Sequence, residues 1–179
     1  MANTYTLIAS STLASAQSSI DFTSIPSTYT DLQIVMSIRS SSATNGDLVM
    51  VYFNTTASSI TGKRLEGVSS GSPYVASDSL NTNQAGAQRI YVGACSAAND
   101  TSNTFGSLQL YVPNYAGSQY KSTSGEGVGE NNSATDVVGM SAGLWSNSAA
   151  ITSVGISLFR TGANIVANST AYLYGVKNA

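Results

Sequence analysis

The chain has 179 residues, 42% of them apolar, enough for one domain with a full hydrophobic core and no need of metals or disulfides. Only 9% of the residues are charged, against about 25% in an ordinary globular chain, and the net charge is -2. Seven basic residues in that balance cannot build a phosphate-neutralising groove, no segment is a basic amphipathic helix, and no apolar run is long enough to span a bilayer, so neither nucleic acid nor membrane is expected as a partner.

Taken in order, the predicted elements are strands. The segment 4–10, TYTLIAS, is short and rich in Thr and Tyr, and 18–25, SSIDFTSI, sets Ile20 and Phe22 on one side. After a turn at Pro26, Leu32, Ile34, Met36 and Ile38 alternate with Gln33, Val35 and Ser37, which predicts a strand with its apolar stripe on the core and Arg39 at its far end. In 47–54, DLVMVYFN, both sides are apolar, the signature of a central strand. Residues 88–96 put Ile90, Val92 and Ala94 inward and Arg89 and Tyr91 outward. Residues 106–115 put Leu108, Leu110 and Val112 inward and Gln109 and Tyr111 outward. Residues 137–146 separate Val138, Met140, Ala142 and Leu144 from Gly139, Ser141 and Gly143. The segments 151–160 and 168–177 close the chain, the latter with Tyr172, Tyr174 and Val176 on one side.

Two stretches read as long loops, 55–87 and 116–136, with short irregular strands at 63–68 and 119–124 as options. No segment has a 3.6-residue apolar period, and the Ser content of 9–19 argues against a helix there. The expectation is an all-β protein: one β-sandwich domain over 1–179, jelly-roll-like, with about eight to ten antiparallel strands. Residues 1–19 are set apart as an N-terminal arm.

The chain offers little chemistry. It has no histidine, which removes the commonest general base, the usual activator of Ser and Cys nucleophiles and most zinc and iron sites. Its one cysteine, Cys95, excludes an internal disulfide framework and reads as a small buried hydrophobe in IYVGACS. The stretch 124–132, SGEGVGENN, has the glycines of a phosphate loop but no helix after it, and reads as a glycine-rich hairpin or loop. Glu126, Glu130 and Asp136 could offer oxygens to a divalent cation, but without EF-hand spacing. The nine acids are scattered among turns and strand ends, so a glycosidase pair is not expected, and neither is any other enzyme or cofactor. The N-terminus, MANTYTLIASSTLAS, has no basic n-region and is not read as a signal peptide, which predicts synthesis in a cytoplasm.

Several phrases resemble small virion proteins of tailed bacteriophages, especially those of marine and cyanobacterial hosts. They are FTSIPSTYTDLQIVMSIRS at 22–40, FGSLQLYVPNYAGS at 105–118, AGLWSNSAAITSVGISL at 142–158 and STAYLYGVKN at 169–178. The resemblance is one of texture and carries no catalytic motif. It implies a β-sandwich, usually trimeric, in a capsid-decorating (cement) or tail-fibre role on a virion. The implied partners are further copies of the chain and the major capsid protein, or host surface glycan in a receptor-binding alternative. Tyr5, Arg39, Arg64, Tyr115 and Trp145 are the side chains expected to touch a partner, since Tyr, Trp and Arg combine contact area with a polar tip.

Overall fold

Alternation of apolar and polar residues organises most of the chain, and small residues organise the rest. The structure is a computed structural model and describes residues 4–55, 59–68, 71–78, 89–132 and 137–177. Those residues form twelve strands and no helix: β1 Tyr5–Thr12, β2 Ser19–Phe22, β3 Asp31–Ile38, β4 Asp47–Phe53, β5 Ile60–Val68, β6 Tyr74–Asp78, β7 Ile90–Cys95, β8 Gly106–Val112, β9 Lys121–Gly129, β10 Val137–Trp145, β11 Val154–Leu158 and β12 Thr170–Val176. They make two antiparallel sheets. The larger has eight strands in the order β1-β12-β3-β8-β9-β10-β5-β6, and the smaller has four in the order β2-β11-β4-β7.

The all-β sandwich expected from the sequence is what forms. With β5, β6, β9 and β10 set aside, the pairing is nested: β1 with β12, β2 with β11, β3 with β8, β4 with β7. The four strands set aside lengthen the larger sheet beyond β8. The N-terminal arm contains the edge strand β1, which joins β12 through a register shift between Leu7 and Ala9.

The core lies between the sheets. Leu32, Ile34, Met36 and Ile38 of β3 are buried, as their stripe predicted, and join Leu108, Leu110 and Val112 of β8 and Leu173 of β12. Facing them are Ile20 and Phe22 of β2, Val49, Val51 and Phe53 of β4, and Val154, Ile156 and Leu158 of β11. β4 is an interior strand of its sheet with Met50 buried on the side opposite Val49 and Val51, as its doubly apolar sequence predicted.

Three strands fall inside the stretches read as loops, two of them, β5 and β9, overlapping the optional strands at 63–68 and 119–124. β5 and β6 occupy part of 55–87, and β9 occupies the heart of 116–136. The glycine-rich stretch is therefore not a loop. β9 sits between β8 and β10, and its inward positions are Lys121, Thr123, Gly125, Gly127 and Gly129. The glycines have a packing reason. A Cβ on Gly127 would meet the Cα of Gly93 in β7 at 2.9 Å, and one on Gly93 would meet the Cα of Gly127 at 2.7 Å. Here backbone packs on backbone, without the side-chain layer that holds stacked sheets about 10 Å apart.

Tyr91 also departs from expectation. A β-bulge in the β4–β7 pairing breaks the alternation at this point. Tyr91 lies buried beneath the Arg64 guanidinium, 5.2 Å from the ring centroid, and its hydroxyl reaches Gly139 of β10.

Candidate interaction face

β10 shows the central feature. Its inward positions are Gly139, Ser141 and Gly143, where the sheets are close, so its apolar residues Val138 and Met140 point to solvent. Ladder register carries this outward row across the larger sheet: Tyr172, Val35, Gln109, Glu126, Met140, Leu65 and Val75 stand side by side on β12, β3, β8, β9, β10, β5 and β6. The next row runs Leu7, Tyr174, Gln33, Tyr111, Ser124, Ala142 and Lys63. Val128 and Val138 pair in the row on the other side.

Among the described residues nine large hydrophobic side chains are exposed: Tyr5, Leu7, Val35, Leu65, Val75, Tyr120, Val128, Val138 and Met140. All but Tyr120 lie on this one face, with Met140 at 59% and Val75 at 72% exposure. The outer side of the four-stranded sheet has a different character. There the Tyr52 hydroxyl donates to Asp21 Oδ1 at 2.7 Å, Arg89 Nη1 donates to Ser157 Oγ at 2.7 Å, and the Arg89 guanidinium lies 5.3 Å from the Tyr52 ring centroid. Scattered exposed hydrophobics are normal; a set gathered on one sheet face marks an interaction surface.

The polar groups of the face are tied together. Gln33 Nε2 donates to Gln109 Oε1 at 2.8 Å, and Gln109 Nε2 donates to Glu126 Oε1. The Tyr111 hydroxyl donates to Asp31 Oδ2 at 2.6 Å, which together with burial pushes its pKa to about 12. Glu126 and Lys63 are the two exposed charges of the face among the described residues. The face is hollowed in two places. One depression of about 460 Å³ lies between Val35, Gln109, Val128, Val138 and Met140. Another, of about 330 Å³, lies between Tyr5, Gln33, Tyr111, Ser124 and Glu126.

Of the five expected contact residues only Tyr5 lies on this face, 54% exposed. The other four do internal work, and expecting them at a partner surface is corrected accordingly. Arg39 is buried and its guanidinium fastens the segment after β7: Nη1 donates to the carbonyls of Thr101 and Thr104 at 2.8 Å each, and Nη2 to that of Ala97 at 2.6 Å. Arg64 is on the inner side of β5, 3.5 Å from Glu66 Oε1 and over the Tyr91 ring. Tyr115 has no exposed surface and its hydroxyl donates to the Pro26 carbonyl. Trp145 has none either, and packs against Phe53 with ring centroids 5.6 Å apart.

The remaining reactive groups are equally occupied or distant from the face. Lys121 is buried, donates to the carbonyls of Ala149 at 2.6 Å and Gly117 at 2.7 Å, and has its pKa lowered by burial. Cys95 is buried and free, and burial pushes its thiol well up. Asp47 accepts from Ser40 Oγ at 2.7 Å, with burial raising its pKa. Glu130 Oε1 accepts from the Asn132 amide at 2.8 Å, while Asp136 lies outside the described residues. Among the described residues no three His, Cys, Asp or Glu side chains converge on a metal position.

Sequence reasoning missed Leu7, Leu65, Val75, Val128, Val138 and Met140 as surface residues. The signal was present in β10, where glycine opposite an apolar stripe marks the side pressed against backbone. Comparison with protein-family models, with curated proteins and with solved structures returns no match.

Proposed function

We propose that the protein is a non-enzymatic structural component of a virion, a capsid decoration (cement) protein that binds the outer capsid as an oligomer. The observation that carries this reading is the division of labour in the side chains. The buried Arg39, Lys121 and Asp47 are bonded into the fold, and the apolar surface is gathered on one sheet face, the layout of an association module. Nested strand pairing is what rolling up one long antiparallel hairpin gives, and it supports a jelly-roll reading of the sandwich. Chain phrases that resemble tailed-bacteriophage virion proteins supply the particle, with the major capsid protein as partner. A protein that binds only the assembled lattice stabilises that lattice by mass action.

A second reading is favoured by one hollow of the same face. Tyr5, Tyr111, Gln33, Gln109 and Glu126 offer ring faces beside amide and carboxylate oxygens, the groups that suit a host-surface glycan in a receptor-binding module.

The test is to add the purified chain to particles lacking it and heat them. Decoration predicts binding across the whole shell and a higher temperature of genome release. A chain that binds no shell, but is retained by immobilised host glycan, supports the second reading instead.

A further inference from the structure

Resting on that association reading, we propose that the outer face of the eight-stranded sheet is a self-interface, covered by the same face of a second copy of this chain. Size is the first argument. Eight strands spaced about 4.8 Å apart, most of seven to nine residues at about 3.3 Å each, make a face on the order of 900 Å². A standard interface takes about 800 Å² from each partner. The whole face, used once, is the right size for one stable pairing.

Charge is the second argument. Among the described residues the strands of the face carry one exposed acid, Glu126, and one exposed base, Lys63, so these strands of two copies meet without net repulsion. The charges lie two strands apart in neighbouring rows, on either side of β10. A two-fold axis parallel to the sheet, lying between the two copies and passing midway between these charges, sets Glu126 of each copy over Lys63 of the other. The same axis brings the Met140 region of the two copies together at the centre. The result is an apolar centre with an ion pair on each side, the usual anatomy of an interface. A face used whole in this way is isologous and closes as a dimer, not as the trimer that the virion resemblance implies.

The experiment is sedimentation equilibrium of the full chain. The expected mass is twice the 18.4 kDa of the chain. Met140→Lys changes an exposed side chain and leaves the core alone, and it should weaken association by about tenfold or more while circular dichroism stays unchanged. Glu126→Lys and Lys63→Glu should each weaken it, and the double reversal should restore it. A wild type at one chain mass overturns the proposal. So does an oligomer that Met140→Lys leaves intact, or one in which the double reversal is no tighter than the single ones. A monomer that still coats shells would remove the self-interface and leave decoration standing; a dimer that binds no shell would do the reverse.

Discussion

Lys121 and Arg39 show why so few charges suffice here. Each is a buried cation that, among the described residues, donates to backbone carbonyls and not to a carboxylate, and the carbonyls would otherwise be stranded in the core. Lys121→Met keeps the aliphatic length and removes the donors, leaving the carbonyls of Gly117 and Ala149 unpaired. The expected loss is about 2–4 kcal/mol in urea unfolding. For Arg39, a rim position at a partner surface would tolerate Lys; a hub bonded to the carbonyls of four residues, Ala97, Asp100, Thr101 and Thr104, does not. Tyr111 gives a pH signature. Its pKa is raised from 10.0 to about 12 by the bond to Asp31 and by burial, so the folded state holds the phenolic proton longer than the unfolded chain does. That contribution is complete below pH 10 and is lost as pH rises through about 12. Wild type should therefore lose stability relative to Tyr111→Phe over this interval, as read by denaturant unfolding at stepped pH. Lys121 has the opposite sign: burial lowers its pKa, so its proton leaves the folded state first and its contribution grows with pH up to 10.5.

At the scale of elements, legibility followed side-chain size. β3, β4 and β8 could be read because their inward positions are large and apolar, and their register then follows from the pleat. β9 could be read only in part, as the optional strand at 119–124, because its inward row is Lys121, Thr123 and three glycines, a composition that in isolation signals a turn. The reason lies in residues far off in the chain: Gly127 faces Gly93, Gly125 faces Ser141 and Val92, and Gly129 faces Ala94. β10 was read as a strand with its two sides correctly separated, but the apolar side proved to be the outer one. The same close approach makes a sharp prediction. Gly127→Ala drives a Cβ into backbone at 2.9 Å and should cost about 1–3 kcal/mol by overpacking. Gly129→Ala, whose nearest neighbour stands at 3.4 Å, should be neutral or stabilising by about 0.5–1 kcal/mol. Thermal melts of the two variants separate this account from a general intolerance of substitution in β9.

The whole molecule is a sandwich with one polar side and one apolar side. The smaller sheet ends in a polar surface held by Asp21, Tyr52, Arg89 and Ser157. The larger ends in the apolar rows around Met140. Of the five contact side chains expected from the sequence, Arg39, Arg64, Tyr115 and Trp145 are held inside and only Tyr5 reaches the face. Apart from Tyr5, the apolar surface of the face was left to Val, Leu and Met, whose exposure is announced only in β10, by the glycines opposite its apolar stripe. The proposed association face relies on burial more than on ion pairs, so the proposed oligomer should weaken only slightly when salt is raised, as read by sedimentation equilibrium at stepped ionic strength.

The most direct test of the structural role is electron cryomicroscopy of the native particle with the density for this chain located. Decoration predicts the sandwich at lattice junctions over the whole shell, with the outer face of its larger sheet covered by protein. Density confined to the tail, or no density on the particle, would contradict it.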